Sequence, residues 1–388
     1  MIRVAINGYG RIGRLGHRVI LEKHTSEIEV VAINAGSSTD IKGWMYLLRY
    51  DSSYGILQNH TLNFQFPISN FQSIPNDQMS NVKTRKDYIG SLTVDNKEIP
   101  VFSQKDPSLL PWKDLSVDVV IESTGHFTTE EKLKVHLTAG AKKVVLSAPI
   151  KEGNVPTYVL SVNEKDYKGE NLINNASCTT NCIAPVAKIM VDSFGVEKAM
   201  MTTIHGYTSD QRLQDGGHKD YRRARAASLN IVPTSTGATI AASAAVPQLK
   251  GIFNGLAIRV PVPVGSLSDF TFLLKKEVTK EMVNDAFEKA AESQEYKGIL
   301  AVTEDPIVSS DIIGNSHSAI VDLSLTQVVG GNLVKVIAWY DNEYGYANRL
   351  VEEVIMVGKS ESQNPKYETN PNDQNTRLAE VLAKRAKF

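Results

Sequence analysis

Asn7-Gly8-Tyr9-Gly10-Arg11-Ile12-Gly13 follows the apolar run Ile2 to Ile6 and tips into a helical pattern that ends near Lys23, after which Glu29 to Ile33 reads as a second strand. Strand, glycine loop, helix and strand in this order make a βαβ unit with a right-handed crossover. Gly8, Gly10 and Gly13 stand where backbone N–H groups at a helix start can receive a pyrophosphate, so the spacing predicts a dinucleotide-binding sheet of the α/β class. A G-x-G-x-x-G run is weak by itself; between a strand and a helix it is specific. Further parallel strands are expected at Val117 to Glu122 and Lys143 to Ser147, with a helix from Glu130 to Ala139 between them. Ser123-Thr124-Gly125 then lies at the carboxyl end of a strand, where open α/β sheets bind ligands. Residues 57–90, rich in Asn, Gln, Ser and Pro, read as an irregular excursion with one strand, ahead of a hairpin at Asp95-Asn96.

Ser177-Cys178-Thr179-Thr180-Asn181-Cys182 opens a second apolar-periodic segment running to about Phe194. A thiol at a helix start feels the partial positive charge of unpaired N–H groups, which favours its thiolate, and the adjacent hydroxyls can hold an anion beside it. Beyond it, strands are expected at Met200 to His205, Gly255 to Pro261, Asp269 to Lys275, Ala319 to Leu325 and Leu333 to Tyr340, with a helix from Lys280 to Gln294. Strands in series with few helices predict a mostly antiparallel sheet in an α+β domain. Residues 208–232 carry Arg, Gly and Asp without an apolar period and read as a long functional loop. Ile231 to Leu249 reads as a buried core helix with its lead-in, and a last helix is expected from about Tyr344 to Val357.

The chain holds 42 basic and 43 acidic residues, so no global field recruits nucleic acid or an anionic membrane. Its two cysteines, four residues apart, can build neither a disulfide framework nor a structural zinc site, and no metal is expected. With an apolar strand directly after Met1 and no transmembrane stretch, a cytoplasmic, reducing location is expected.

Taken together, the chain closely resembles phosphorylating glyceraldehyde-3-phosphate dehydrogenases of the bacterial and plastid type across nearly all of residues 1–357. The resemblance rests on Asn7 to Arg14, Glu122 to Gly125, Ser177 to Cys182, Thr202 to Thr208, Arg222 to Ala227, Pro233 to Ala238, Arg259-Val260-Pro261 and Trp339 to Glu343. It implies a Rossmann-type domain over 1–177, completed by a C-terminal helix at 341–357, and a catalytic domain over 178–340 within a homotetramer. It further implies Cys178 as nucleophile and His205 as base, the latter also stabilising the thiolate as imidazolium. By the family pattern Arg259 and Thr208 hold the substrate's phosphate, Ser177, Thr179, Thr236 and Gly237 hold attacking inorganic phosphate, and Arg223 belongs to the anion sites. Cofactor contacts are implied for Asn7, Gly8, Gly10, Arg11, Ile12, Gly13, Ala35, Ser37, Ser123, Thr124, Gly125 and Tyr346, with Asn342 on the nicotinamide carboxamide.

Departures from that pattern carry information of their own. NAD-specific relatives have an acidic residue at the end of the second strand, where this chain has Asn34-Ala35-Gly36-Ser37. Losing that carboxylate forfeits a contact to the ribose hydroxyls and removes repulsion of a 2′-phosphate, and Gly216-Gly217 stands where such relatives carry Leu-Pro; NADP is therefore the expected cofactor, with NAD as the second. Val262-Pro263-Val264-Gly265 and Ile240 also differ from the usual residues. Two alternatives stay open from sequence: an erythrose-4-phosphate dehydrogenase, and a non-enzymatic RNA-binding protein. The polar tail over 358–388 is expected to tether a short docked helix at Arg377 to Lys384.

Overall fold

Apolar strands separated by amphipathic helices bury both faces of a sheet, and the amino-terminal half of the chain does so. The computed structural model describes residues 1–67 and 78–363. In chain order come β1 (Ile2–Asn7), α1 (Arg11–Lys23), β2 (Ile28–Asn34), α2 (Ile41–Arg49), and a small ribbon of β3 (Tyr50–Asp51) and β4 (Gly55–Ile56). They are followed by β5 (Leu62–Gln65), α3 (Gln78–Lys83), β6 (Tyr88–Val94), β7 (Lys97–Phe102), β8 (Val119–Glu122), α4 (Glu130–Thr138), β9 (Lys143–Leu146) and β10 (Leu172–Asn174). The sheet order is β10-β9-β8-β1-β2-β7-β6-β5, parallel from β10 to β7, with β6 and β5 antiparallel at one edge. Strand order reverses about β1, so the carboxyl ends of β1, β2 and β8 border the crevice. Their last residues are in register, Asn7 opposite Asn34 on one side and Glu122 on the other.

The hairpin joining β6 and β7 turns on Asp95 (φ 49°) and Asn96 (φ 67°), two residue types that tolerate the left-handed backbone a two-residue hairpin needs. The expected irregular excursion contains more order than one strand: besides β5 it holds α3 and the start of β6, and its residues 68–77 lie outside the described residues.

A second sheet is built from β11 (Val196–Gly206), β12 (Val232–Ser235), β13 (Phe253–Val260), β14 (Ser266–Leu274), β15 (Leu300–Thr303), β16 (Ala319–Asp322), β17 (Gln327–Val329) and β18 (Leu333–Tyr340). Its order is β12-β13-β11-β14-β18-β16-β15, with β17 beside β18. Pairing is antiparallel except between β11 and β13 and between β15 and β16. Helix α5 (Cys178–Phe194) lies on this sheet, and Ile183, Val186 and Met190 join Phe270, Phe272 and Val336 in one core. Helices α6 (Ala238–Ala245) and α7 (Lys280–Glu292) pack beside α5. The last helix, α8 (Tyr344–Gln363), returns to the first sheet, where Leu350, Val351 and Val354 share a core with Val4, Ile6 and Val19. Among the described residues no helix is long and apolar enough to cross a membrane.

Three sequence expectations are corrected. The segment from Ile231 to Leu249 is not a single buried helix: it contains strand β12, and Ile240 on α6 is 77% exposed. Pro233 and the polar residues around it obscure a strand that exists because β13 offers it a partner. Strand β15 was absent from the sequence reading; four residues carry too little periodicity, and parallel pairing with β16 defines it. Helix α8 continues through Gly358 rather than ending before it, because a residue without Cβ lets the helix lie against Ile2, whose side chain would be 2.6 Å from an added Cβ. The helix expected at Arg377 to Lys384 lies outside the described residues.

The glycine loop supplies a stability test. Gly8 has φ +94°, and a Cβ there would sit 2.6 Å from Thr124 N, whereas a Cβ on Gly10 would meet nothing within 4 Å. Gly8→Ala is expected to cost about 1–3 kcal/mol, seen as a lower urea midpoint, while Gly10→Ala keeps the wild-type midpoint. Equal midpoints for all three proteins would remove the close approach of Gly8 to Thr124 as a constraint.

Candidate active site

Cys178 is the first residue of α5, and Ser177 caps that helix in extended conformation with its Oγ accepting from Thr180 N at 3.1 Å. The preceding turn is unusual. Ala176 adopts φ 49°, and three groups hold it there: Asn174 Oδ1 accepts from Ala176 N at 3.1 Å, Tyr346 OH donates to Ala176 O at 3.3 Å, and Asn181 Nδ2 donates to the carbonyls of Asn175 and Ser177 at 2.9 and 3.1 Å. A non-glycine residue in the left-handed region persists only where its surroundings enforce it. Thr179 Oγ1 lies 3.0 Å from Tyr340 OH, which lies 2.8 Å from Thr203 Oγ1, so the first turn of α5 is tied to β11 and β18.

Near the end of β11, His205 brings Nε2 to 3.4 Å from Cys178 Sγ. Its Nδ1 lies 2.6 Å from Gly206 O, a distance at which two lone pairs would repel, so Nδ1 carries the hydrogen and Nε2 presents a lone pair to sulfur. Arg259 on β13 pairs with His205 in the ladder. Its Nη1 donates to Gly206 O at 3.2 Å and reaches Thr208 Oγ1 at 3.5 Å; it stands 3.0 Å from His205 Nδ1, to which it cannot donate while Nδ1 carries the hydrogen. Arg259 Nε is buried and has no partner among the described residues, an orphaned donor that an anion would satisfy.

Burial pushes the Cys178 thiol up, against the pull of Arg259. Burial, and then Arg259, push His205 down to about 3. An imidazolium without the thiolate beside it is therefore disfavoured at this position. Each charge alone is disfavoured in this volume; a single proton shared between Sγ and Nε2 leaves the pair without net charge.

Across the crevice, Gly10 caps α1 without any side-chain hydrogen bond, and space above it is open. Unclaimed N–H groups at a helix start, over a glycine that leaves room, fit a pyrophosphate. A Cβ on Gly13 would strike Gly8 O, and Ser123 Oγ donates to that same oxygen at 2.7 Å, which fixes the loop. Asn342 Oδ1 accepts from Gly265 N and Ser266 Oγ at 3.1 and 2.9 Å, so its amide is oriented with NH2 left as a donor.

The amino-terminal part matches the family model described as glyceraldehyde 3-phosphate dehydrogenase, NAD binding domain, over residues 2–70 and 69–130, and residues 177–342 match the C-terminal domain of the same enzyme. The chain belongs to the glyceraldehyde 3-phosphate dehydrogenase family. It is 47% identical to glyceraldehyde-3-phosphate dehydrogenase 2 of Streptomyces avermitilis over 362 residues, covering 92% of this chain and 98% of that protein. Glyceraldehyde-3-phosphate dehydrogenase of Mycobacterium avium is 49% identical over 363 residues, covering 92% and 99%.

Of the family's expected site residues, the structure brings Ser177, Cys178, Thr179, His205, Thr208 and Arg259 into one cluster. Arg223 is engaged elsewhere: its guanidinium bonds Asp210 Oδ2 at 2.6 Å, Thr234 Oγ1 at 3.0 Å and Ser235 O at 3.1 Å. Gly237 caps α6, and the hydrogen bonds of Thr236 and Gly237 are local, Thr236 Oγ1 accepting from Ala238 N at 3.1 Å. The guanidinium of Arg11 ties α1 to Asp51 and Glu343, which leaves the backbone of Arg11 and Ile12 at the helix start. Gly125 (φ 73°) has open space, Ser37 is exposed, and Ala35 N donates to Phe102 O at 2.8 Å. Tyr346 is buried, its hydroxyl directed to the nucleophile turn rather than outward. Gly216 and Gly217 bond Ala224 and Arg212 within their own loop.

Sequence reasoning missed Tyr340, whose hydroxyl bridges Thr179 and Thr203, and Glu122, which accepts from Asn7 and Thr124. Both stand inside quoted motifs, yet their partners lie up to 161 residues away.

The shared proton yields a test. Without the imidazole, the thiol must ionise alone in a partly buried site, so His205→Asn should slow Cys178 alkylation by iodoacetamide at pH 7 by about tenfold or more and move the rising limb of its pH profile upward. An unchanged profile would mean that the imidazole does not take the thiol proton.

Proposed function

We propose that this chain catalyses the phosphorylating oxidation of glyceraldehyde 3-phosphate, reversibly, with a nicotinamide dinucleotide as oxidant. The observation that carries the reading is the 3.4 Å approach of His205 Nε2 to Cys178 Sγ beside the unpartnered Arg259 Nε. Cys178 sulfur attacks the aldehyde carbon while its proton passes to His205 Nε2 and on to the new hydroxyl oxygen. His205 then takes the hydroxyl proton back as the hemiacetal is oxidised to a thioester. A dinucleotide held by the Gly8–Gly13 loop and the Asn342 amide would supply the oxidant for the hydride that the hemiacetal carbon loses. Phosphate oxygen attacks the thioester carbonyl, the C–S bond breaks, and an acyl phosphate leaves with Cys178 regenerated. Arg259 and Thr208 hold the substrate's own phosphate, while Ser177, Thr179, Thr236 and Gly237 serve the attacking one; Arg223 belongs beside these anion sites, its guanidinium bonded to Asp210, Thr234 and Ser235. The Arg259 guanidinium beside His205 adds to burial in holding its pKa down.

The preferred cofactor in this reading is NADP. Ala35 places no carboxylate at the ribose, and the adjacent Ser37 is exposed. The chain works as a cytoplasmic homotetramer; Met200 (61% exposed), Ile240 (77%) and Tyr221 (87%) form apolar surface suited to subunit contact.

Cofactor reduction with glyceraldehyde 3-phosphate should require added phosphate, and Cys178→Ser should abolish it while Cys182→Ser keeps most of it. Turnover without phosphate would point instead to hydrolysis of the thioester. Wild type should show a higher kcat/KM for NADP than for NAD, and Ala35→Asp should reverse the order by about tenfold or more, within reach of one charged contact. A wild-type preference for NAD would sink the reading of Ala35.

A further inference from the structure

Five side chains beneath the crevice form one hydrogen-bonded line whose polarity is dictated at every step. Trp112 Nε1, which can only donate, lies 3.1 Å from His136 Nδ1. Nδ1 therefore holds a lone pair, and Nε2 donates its hydrogen to Glu122 Oε2 at 3.1 Å. From the opposite side Asn7 Nδ2 donates to the same oxygen at 2.5 Å, which turns Asn7 Oδ1 toward Asn34 Nδ2 at 2.7 Å. Asn34 Oδ1 in turn accepts from Gln104 N at 3.0 Å and from Gly36 N at 3.3 Å. Thr124 N and Oγ1 donate to the other oxygen, Glu122 Oε1, at 2.8 and 2.5 Å. Trp112, His136, Glu122, Asn7 and Asn34 are all buried.

Every donor in this line points at Glu122, which can satisfy them only as an acceptor at both oxygens. A side-chain amide has two unlike ends, so reversing Asn7 would force Asn34 to reverse. Asn34 would then aim its NH2 at the N–H groups of Gly36 and Gln104, donor against donor. Gly36 (φ 70°) lies in the turn between Ala35 and Ser38, and Thr124 lies against Gly8 in the pyrophosphate loop. One carboxyl group thus braces both ends of the region where the adenosine half would sit.

We propose that Glu122 is a positioning residue for cofactor choice: through Asn7 and Asn34 it fixes the turn that meets the ribose, and through Thr124 it fixes the glycine loop. The proposal rests on the reading of this crevice as a site for NADP.

Glu122→Gln keeps the shape and adds a donor, so one of the two oxygens' partner sets must be broken. Calorimetric titration of 2′,5′-ADP and of 5′-AMP into the full chain measures the effect without turnover. The variant is expected to lose about tenfold in 2′,5′-ADP affinity, the effect of one buried donor left unpaired, with a smaller loss for 5′-AMP and an unchanged alkylation rate at Cys178. Affinities within twofold of wild type for both nucleotides would overturn the proposal, as would equal losses for both accompanied by slower alkylation, the mark of general loosening. Should Glu122→Gln fail to fold, Glu122→Asp, which keeps the carboxylate but withdraws it from Asn7 and Thr124, is held to the same outcomes. Tighter binding of 5′-AMP than of 2′,5′-ADP by wild type would remove the NADP reading, and the role of Glu122 would then be decided by the 5′-AMP affinities alone.

Discussion

A buried imidazole meets a partly buried thiol and guanidinium where α5 begins and where β11 and β13 end. Their partial removal from water pushes the thiol up and the imidazole down, so that neither charge is favoured alone, and leaves an arginine whose Nε has no partner among the described residues. The rest of the second sheet serves to keep these groups at fixed distances. Parallel pairing of β11 with β13 sets His205 opposite Arg259, and the bridge from Thr179 through Tyr340 to Thr203 sets the first turn of α5 over the same strands. Chemistry that needs a nucleophile and its base within hydrogen-bond reach is thus provided by strand register, not by loop flexibility.

The first sheet must meet this site at a fixed angle, and α8 provides the joint. Its apolar face completes the core beneath β1, while Tyr346 on the same helix reaches the carbonyl of Ala176 in the nucleophile turn. Arg11 bridges Asp51 and Glu343, and Tyr54 donates to Asp341 Oδ1 at 2.8 Å, so the opening of α1 is clamped to the segment that carries Asn342. Charge-assisted contacts of this kind fix geometry better than they add stability, since burying the charges offsets much of the gain.

Much of this architecture was legible in the residues. The glycine loop, the capped thiol and the Asp95-Asn96 hairpin each impose a local backbone requirement that few residues satisfy, so their positions could be read directly. The same holds for the fold class, since βαβ order and a later series of strands leave few arrangements. Elements defined by a partner rather than by their own pattern were not legible: β12 and β15 are short, and α8 passes Gly358 only because Ile2 lies beside it.

The protonation of the site belongs to the same division. The cysteine at a helix start was legible from sequence as a candidate nucleophile by its position and its capping neighbours, whereas His205 and Arg259 were singled out by their resemblance to the family's motifs. Only the tertiary structure decided that burial and Arg259 push His205 down, that Arg223 bonds Asp210 and one end of β12, and that Glu122 gathers donors from Asn7, Thr124 and His136. Desolvation and hydrogen-bond polarity depend on what surrounds a group in space, and residues up to 161 positions apart in the chain supply those surroundings.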